Sequence, residues 1–450
     1  MSKSVNQRQE ERMGVDLSTR TALSHSELML GIERFAAWLD TEGYASYDPY
    51  DTWGTAYGKW ARRLYYKKSA LGTIAAAPLL GMEVALPSLR KLLVGKDRYA
   101  TADSQLALAF LNLHRVSEGE ANGDQLTGWL LKARSLAKDL LDQSVSGYQG
   151  LGWGYPFDWQ HANGLMPKGT PHITATPYVY EVFKQLLDLT GEEQYDRLVR
   201  SITQFVFADL NDTPTSSDAA ASSYTPHDHS KVVNASAYRA FVLFDAARRF
   251  QVEEFASKAW KNLLFILQSQ REDGAWLYAI DDPSQAFIDH FHTCFVLKNL
   301  FKLNRSLHSP EVDEAIRRGY AWYRKSLFDE NENPKSYAVA PRLQIVRLEM
   351  YDLAEAITLG ALLREAIPGA FALAETLAAR LIRDHQLRAG YWITRVYRGG
   401  IRHTLPFLRW PQAQLFHALT NLLVARHEFE KTAKGHANRQ VSIGAVKARV

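Results

Sequence analysis

LLDQSVSGYQGLGW, Leu140 to Trp153, leaves a helical pattern through a glutamine and runs into a glycine-rich turn that ends on a tryptophan. The same order returns in ILQSQREDGAW (Ile266 to Trp276) and in LIRDHQLRAGYW (Leu381 to Trp392). Successive tryptophans are 123 and 116 residues apart. That is two helical hairpins each, if a hairpin takes roughly 60 residues. An echo at such a period marks stacked units that cannot bury their apolar faces alone. About six hairpins fit the chain, and closing them into a ring gives an all-α (α/α)6 toroid. The inner helix ends and their loops would line a central cleft, with the glycine–aromatic segments and short β elements at its mouth.

Outward from these echoes the chain reads as helix. SQLALAFLNLHRVSE, TPYVYEVFKQLLDLTG, NASAYRAFVLFDAARRF, DHFHTCFVLKNLFKL, YDLAEAITLGALLREA and WPQAQLFHALTNLLVARHEF carry apolar residues at three- and four-residue spacing. Six further segments do the same, for about a dozen helices. Strand-like alternation is confined to GYWITR (Gly390 to Arg395) and AWLYAI (Ala275 to Ile280).

Composition narrows the class. Of 450 residues, 46% are apolar and 23% charged, which suits a globular domain. The formal charge of +4 is spread among acids, against a nucleic-acid binder. The single cysteine, Cys294, excludes an internal disulfide and a cysteine-based metal site, and fits a reducing, cytoplasmic compartment. Residues 1–24 read as a disordered polar leader without a signal-peptide core, 25–430 as one toroid domain, and 431–450 as a polar basic tail. Ala70 to Pro87 (ALGTIAAAPLLGMEVALP) is too short and too interrupted to span a bilayer. It reads as a buried helix–turn–helix. A contact with the inner face of a membrane, helped by Lys67, Lys68 and Arg90, is the alternative.

Five segments carry chemistry. GWGYPFDWQ (Gly152 to Gln160) offers Trp153, Tyr155 and Trp159 as flat faces for sugar rings and Asp158 as acid, base or helix cap. IDHFHTCF places Asp289, His290 and His292 within a helical turn. A histidine oriented by a carboxylate suits proton transfer better than a metal, for which further ligands are missing. YTPHDHSKVVNAS supplies His227, and Asn234 as an expected N-cap or amide donor. RLEMYDLAEA presents Glu349 and Asp352 on one helix face, after Arg342 and Arg347. RVYRGGIRHTLPFLRWPQ brings Tyr397, Arg409 and Trp410 together as a clamp for an anionic group.

The ordered series YDPYD, GWGYPFDWQ, TPHITATPYV, YTPHDHSKVVNAS, QREDGAWLYAIDD, FIDHFHTCFVL, LFDENENPKSY and LPFLRWPQAQ runs over most of the chain. It resembles a bacterial family associated with exopolysaccharide and O-antigen biosynthesis, itself similar to the helical-toroid domain of uronosyl epimerases and other six-hairpin glycan enzymes. The chain departs from that pattern at His290, where Asn is usual, at Cys294, where Gly is usual, and at Tyr351, which takes a histidine's place. The resemblance implies a glycan or lipid-linked oligosaccharide as partner, no cofactor and no metal. It adds Asp48, Asp51 and Trp276 to the binding candidates. On a uronic acid the chemistry would be proton abstraction, giving epimerisation or elimination, with Arg409, Asn234, His292 and Tyr155 in the roles. On a neutral sugar it would be hydrolysis by Asp158 with Asp289 or Glu349. A non-catalytic glycan-binding partner of an assembly complex is the alternative. Carboxylates and a histidine converging on one point of the cleft favour an enzyme; carboxylates taken up as caps favour binding.

Overall fold

The computed structural model describes residues 23–117, 123–161, 164–280, 282–341 and 344–447. Of the expected leader only Leu23 and Ser24 fall among them, and Arg342 lies outside. Leu23 is buried, and Ser24 closes a capping box with Glu27 at the start of α1 (His25–Glu42).

Six helices form an inner ring: α4 (Ala100–Ser117), α6 (Thr176–Thr190), α8 (Val233–Phe250), α10 (His290–Leu307), α12 (Met350–Leu362) and α14 (Ala413–Lys447). Each packs on the next, and α14 packs back on α4, so the ring closes. Outside it stand α5 (Gly123–Asp142), α7 (Glu193–Gln204), α9 (Glu253–Gln268), α11 (Pro310–Ser326) and α13 (Ala370–Arg380), each the hairpin partner of the preceding inner helix. The sixth outer position is filled by α1 against α14, which joins the two ends of the chain. The expected (α/α)6 toroid is thus the observed fold, and the position of each helix follows from its pattern. The ring helix α4 buries residues on nearly all sides and relies on Ala and Ser to pack closely, whereas α7 buries only Tyr195, Val199, Ile202 and Thr203, one stripe of an otherwise charged helix.

The three echoes are structural joints. They follow α5, α9 and α13 and dock on the neighbouring outer helices α7, α11 and α1. Gly274 and Gly390 have φ of +96° and +107°, and a Cβ there would lie 2.6 Å from the Arg318 carbonyl oxygen and 2.3 Å from that of Arg34. Two of the glutamines stitch their joints, Gln270 Nε2 donating to the carbonyls of Gly274 and Ala315 and Gln386 Nε2 to those of Gly390 and Gly31, while Gln143 Nε2 turns to the Asp103 carboxylate and the Asp139 carbonyl. The tryptophans turn inward. Trp153 Nε1 donates to the Leu140 carbonyl at 2.7 Å and Trp276 Nε1 to that of Ile266 at 2.9 Å, inside the core. Buried indoles with satisfied N–H groups do not present a face to a sugar, so Trp153 and Trp276 are packing residues here and not the platforms expected from the sequence.

Four small antiparallel sheets decorate the end of the toroid where the ring helices begin. They pair β1 (Trp159–His161) with β2 (Gly164–Met166), β3 (Asp212–Pro214) with β4 (Ala220–Ser222), and β5 (Ile288–Asp289) with β6 (Tyr337–Val339). The fourth orders β7 (Val346–Glu349), β8 (Arg395–Tyr397) and β9 (Arg402–His403). The strand expected at Gly390 to Arg395 forms a few residues later, and the one at Ala275 to Ile280 reduces to a single bridge from Ala279 to Val232.

Between α1 and α4 the chain leaves the ring and builds a cap from α2 (Ala56–Tyr66), α3 (Ala70–Ala85) and a short 3-10 helix, Pro87–Leu92. The helix–turn–helix expected inside Ala70 to Pro87 is instead one helix running through Pro78, and only Gly72, Ala75, Ala76 and Leu79 of it are buried.

Candidate active site at the mouth of the toroid

The N-termini of the ring helices converge under the cap, and the side chains there form an aromatic mouth. Tyr351, in the first turn of α12, stacks on Trp410 with ring centroids 3.7 Å apart and planes 4° from parallel. Phe291, from the first turn of α10, stands edge-on to Trp410 at 5.1 Å. On the opposite wall Tyr155 meets His172 at 4.4 Å, and His172 stacks on Tyr224 at 5.6 Å. Tyr278 stacks on Phe287 at 4.7 Å and lies 4.5 Å from the ring of His292. Tyr278 also sits within electrostatic reach of Asp289, Tyr155 and Tyr50, which ties the two walls together.

Arg409 crosses the mouth. Its Nε and Nη2 donate to the two carboxylate oxygens of Asp48 at 2.5 and 2.8 Å, and its guanidinium lies 4.8 Å from the centre of the Tyr155 ring. Asp48 therefore anchors the chain entering the cap to the Leu408–Gln412 turn before α14 with a buried bidentate pair. The anionic-group clamp expected of Arg409 has its fork already engaged. Asp51 pairs with Arg90, Arg90 with Glu83, and Glu83 faces His403 and Arg395. Burial alone would raise Glu83, but the His403 ring 3.3 Å away and the charges of Arg90 and Arg395 hold it at about 2. Arg395 completes the chain with Glu349, Nε to Oε2, at 3.1 Å. Glu349 is raised by burial, partly offset by Arg395, and takes a hydrogen bond from Trp410. Arg90, expected as a basic flank for a membrane contact, is fully buried in this network.

A histidine–carboxylate pair stands at the mouth beside these rings. Asp289 is the N-cap of α10: Oδ1 accepts the His292 backbone N–H at 3.0 Å, and Oδ2 lies 2.7 Å from His292 Nδ1. A carboxylate only accepts, so Nδ1 carries the proton and Nε2 of the neutral ring is a bare acceptor. His292 is partly exposed, between Tyr278 and Phe291. His290 serves a different purpose: its Nε2 accepts from the Tyr323 hydroxyl at 2.8 Å in the core, and burial takes it down to about 3. The His-x-His spacing therefore does not chelate.

A second polar chain, of which the sequence singled out only Tyr155, runs along the other wall. Tyr155 lies within electrostatic reach of Tyr224, Tyr224 lies 2.6 Å from the Thr174 hydroxyl, and Thr174 lies 3.0 Å from His172 Nδ1. Burial raises the Tyr155, Tyr224 and Tyr278 phenols, so they stay protonated and can donate, and it lowers His172 to about 3. Of these tyrosines the sequence singled out Tyr155; Tyr224 and Tyr278 lie in other loops, and no local spacing joins them to it.

The remaining candidates are dispersed. Asp158 is tied to Lys59 Nζ at 2.5 Å and the Lys168 N–H at 2.9 Å, which lowers its carboxyl and makes it a clasp between α2 and the β1–β2 hairpin instead of an acid. Trp159 stays at the mouth, 5.5 Å from Tyr155. His227 is exposed on the rim, 3.1 Å from the Tyr148 hydroxyl. Asn234 is the second residue of α8 and not its cap, which is Val232. Its buried amide has no hydrogen-bond partner among the described residues. Tyr397 is buried in β8. At the opposite end of the lumen a cavity of about 480 Å³ is lined by paired charges: Lys298 with Glu355, Lys302 with Glu181 and Lys184 with Asp245.

No protein-family model and no curated protein matches the sequence. Solved structures do match. A D-mannose isomerase aligns at TM-score 0.56 and 13% identity over 90% of this chain and 98% of its own. A cellobiose 2-epimerase from Bacillus thermoamylovorans aligns at 0.55 and 11%, over 73% and 88%. A GH76 α-mannanase from Bacteroides thetaiotaomicron aligns at 0.55 and 10%, over 86% and 100%. These likenesses show the fold, a six-hairpin (α/α)6 toroid; the three proteins named are themselves an isomerase, an epimerase and a mannanase.

Proposed function

We propose that this protein is a carbohydrate-active enzyme that seats a sugar in the aromatic mouth and moves a proton on it, in the manner of an epimerase, isomerase or lyase. The observation that carries the reading is the Asp289–His292 pair, which leaves an oriented imidazole Nε2 among sugar-sized aromatic faces. His292 would act as base, and the protonated phenol of Tyr278, beside it, or of Tyr155, on the other wall, would return or donate the proton. Hydrolysis by paired carboxylates has less support, because Asp158 and Glu349 are engaged by Lys59 and Arg395. A cationic clamp for a uronate has less support too, since Arg409 is held by Asp48. A neutral or weakly acidic glycan suits the mouth better. The series of motifs similar to polysaccharide-assembly proteins supports placing that glycan in bacterial surface-polysaccharide synthesis, on the cytoplasmic side.

A second reading, glycan binding without turnover, is favoured by the same ion pairs, which leave few free acids at the mouth. NMR in deuterated water over a panel of bacterial oligosaccharides separates the two. Deuterium entering the sugar ring with the native protein and not with His292→Gln is the expected result. New reducing ends without ring deuterium would replace this chemistry with hydrolysis. Saturation transfer without turnover would leave only binding.

A further inference from the structure

We infer that the cap is a membrane-docking surface, built to rest on an anionic bilayer face beside the mouth of the toroid. The packing of α3 is inverted. Its buried side holds Gly72, Ala75, Ala76 and Leu79, while the larger Leu71, Ile74 and Leu80 point to solvent, with Ile74 69% exposed. The small residues are there for contact with α2: a Cβ on Gly72 would lie 2.4 Å from the Leu64 carbonyl carbon, and the Tyr57 hydroxyl donates to the Ala75 carbonyl at 2.8 Å. The apolar face continues through the Pro87–Leu92 helix with exposed Leu86, Leu89 and Leu92, the last 81% exposed. Exposed Tyr57 and Trp60 on α2 extend it. Aromatic rings of this kind favour the headgroup layer of a bilayer. No described helix is long and apolar enough to cross a membrane, so contact would be interfacial.

Charge identifies the occupant. Residues 52–96 hold eight basic side chains and one acid, Glu83, a formal +7 in a chain whose total is +4; the rest of the chain is therefore net negative. Glu83 faces inward to Arg90. Lys59 and Lys96 pair with Asp158 and Glu42, and Arg62 lies over the rings of Tyr50 and Trp53. Arg63, Lys67, Lys68 and Lys91 are exposed and make no ion pair among the described residues. They flank the apolar face: Lys67 and Lys68 in the turn before Leu71, Lys91 beside Leu92, Arg63 one turn along α2 from Trp60. A second copy of this chain would bring these cations against themselves. An anionic lipid surface accepts both the cations and the leucines. The network from Glu83 through Arg395 to Glu349 connects the underside of this face to the mouth, so docking would hold the mouth next to the bilayer.

The test is co-sedimentation of the full chain with phosphatidylcholine vesicles, with and without phosphatidylglycerol. Binding only to the phosphatidylglycerol vesicles is expected. Ile74→Glu with Leu92→Glu, and separately Lys67→Glu with Lys68→Glu, should each weaken it by roughly tenfold or more at an unchanged melting temperature. Absence of binding to the anionic vesicles, or unaltered binding by both pairs of variants, would overturn the inference. So would a native dimer in light scattering that Ile74→Glu dissolves, since the face would then belong to a second copy. None of these outcomes depends on a sugar substrate, so failure here is separable from failure of the glycan reading.

Discussion

Replacing Asp289 by Asn separates the two jobs of one carboxylate. As an N-cap, Asn serves about as well as Asp, so the bond to the His292 backbone N–H survives. The lost negative charge at the start of an 18-residue helix costs about 0.3–1 kcal/mol. The imidazole contact changes in kind. The carboxylate can only accept from Nδ1, whereas the amide can also donate to it and so hold the proton on Nε2, where the base must be bare. A base locked in the wrong tautomer loses about 10²–10⁴ in turnover, about 3–5 kcal/mol in the transition state at 1.36 kcal/mol per decade. The kinetic penalty should thus exceed the stability penalty several-fold. Denaturant unfolding gives the first quantity, ring-deuterium exchange on a substrate found by NMR gives the second, and ¹⁵N shifts of His292 report the tautomer directly. Asp289→Ala, which removes the cap as well, should lose about 1 kcal/mol more stability than the Asn variant without a comparable further loss of turnover. An Asn variant that turns over like the native protein would refute the role assigned to the pair, as would one with the native tautomer and a full loss of activity.

Two further outcomes follow from the packing and the buried histidines. Gly390→Ala combines a left-handed φ with a Cβ 2.3 Å from the Arg34 carbonyl, and should destabilise by about 2–4 kcal/mol, while Gly43→Ala, also at positive φ but with open space around it, should cost about 1 kcal/mol; equal losses in urea melts would deny the joint between α13 and α1. His172, His290 and His417 are each held at about 3 by burial, so between pH 6.5 and 3 the unfolded chain binds more protons and stability falls with pH by about 1.4 kcal/mol per unit per histidine; a melting temperature that stays flat from pH 7 to 5 would contradict their burial.

The toroid was legible because its periodicity is dictated by packing. Glutamine, glycine and tryptophan recur at two-hairpin intervals since every second outer helix meets its neighbour through the same joint, and that joint admits no Cβ and requires an indole facing the core. The same regularity misled the reading of function. A tryptophan that recurs for packing looks, in one dimension, like a tryptophan placed for sugar, so Trp153 and Trp276 were assigned to the cleft. Asp158 misled for a related reason: its partner Lys59 lies 99 residues away, and nothing local announces the pair. What the sequence could show of the site was the pair held within one helical turn, Asp289 with His292, and single aromatics of the mouth, Tyr155, Trp159 and Trp410, without their partners. The Tyr155–Tyr224–Thr174–His172 chain spans several loops and becomes visible only when the ring closes.

The cap carries this logic further. A toroid of six hairpins needs nothing between its first outer helix and its first ring helix, yet this chain inserts two helices there and ties them down with buried charges: Asp48 to Arg409, Asp51 and Glu83 to Arg90, Glu83 on to Arg395. Buried ion pairs add little net stability over apolar packing but fix one arrangement, because breaking either partner strands a charge. An apolar cap would have been easier to bury and free to slide. This one keeps its leucines and exposed cations outside and its ion pairs inside, which is the order expected if the outer face meets an anionic lipid surface and the inner face must hold the mouth in one shape while it does. The position of the mouth relative to a membrane and the geometry of His292 would then depend on the same few arginines.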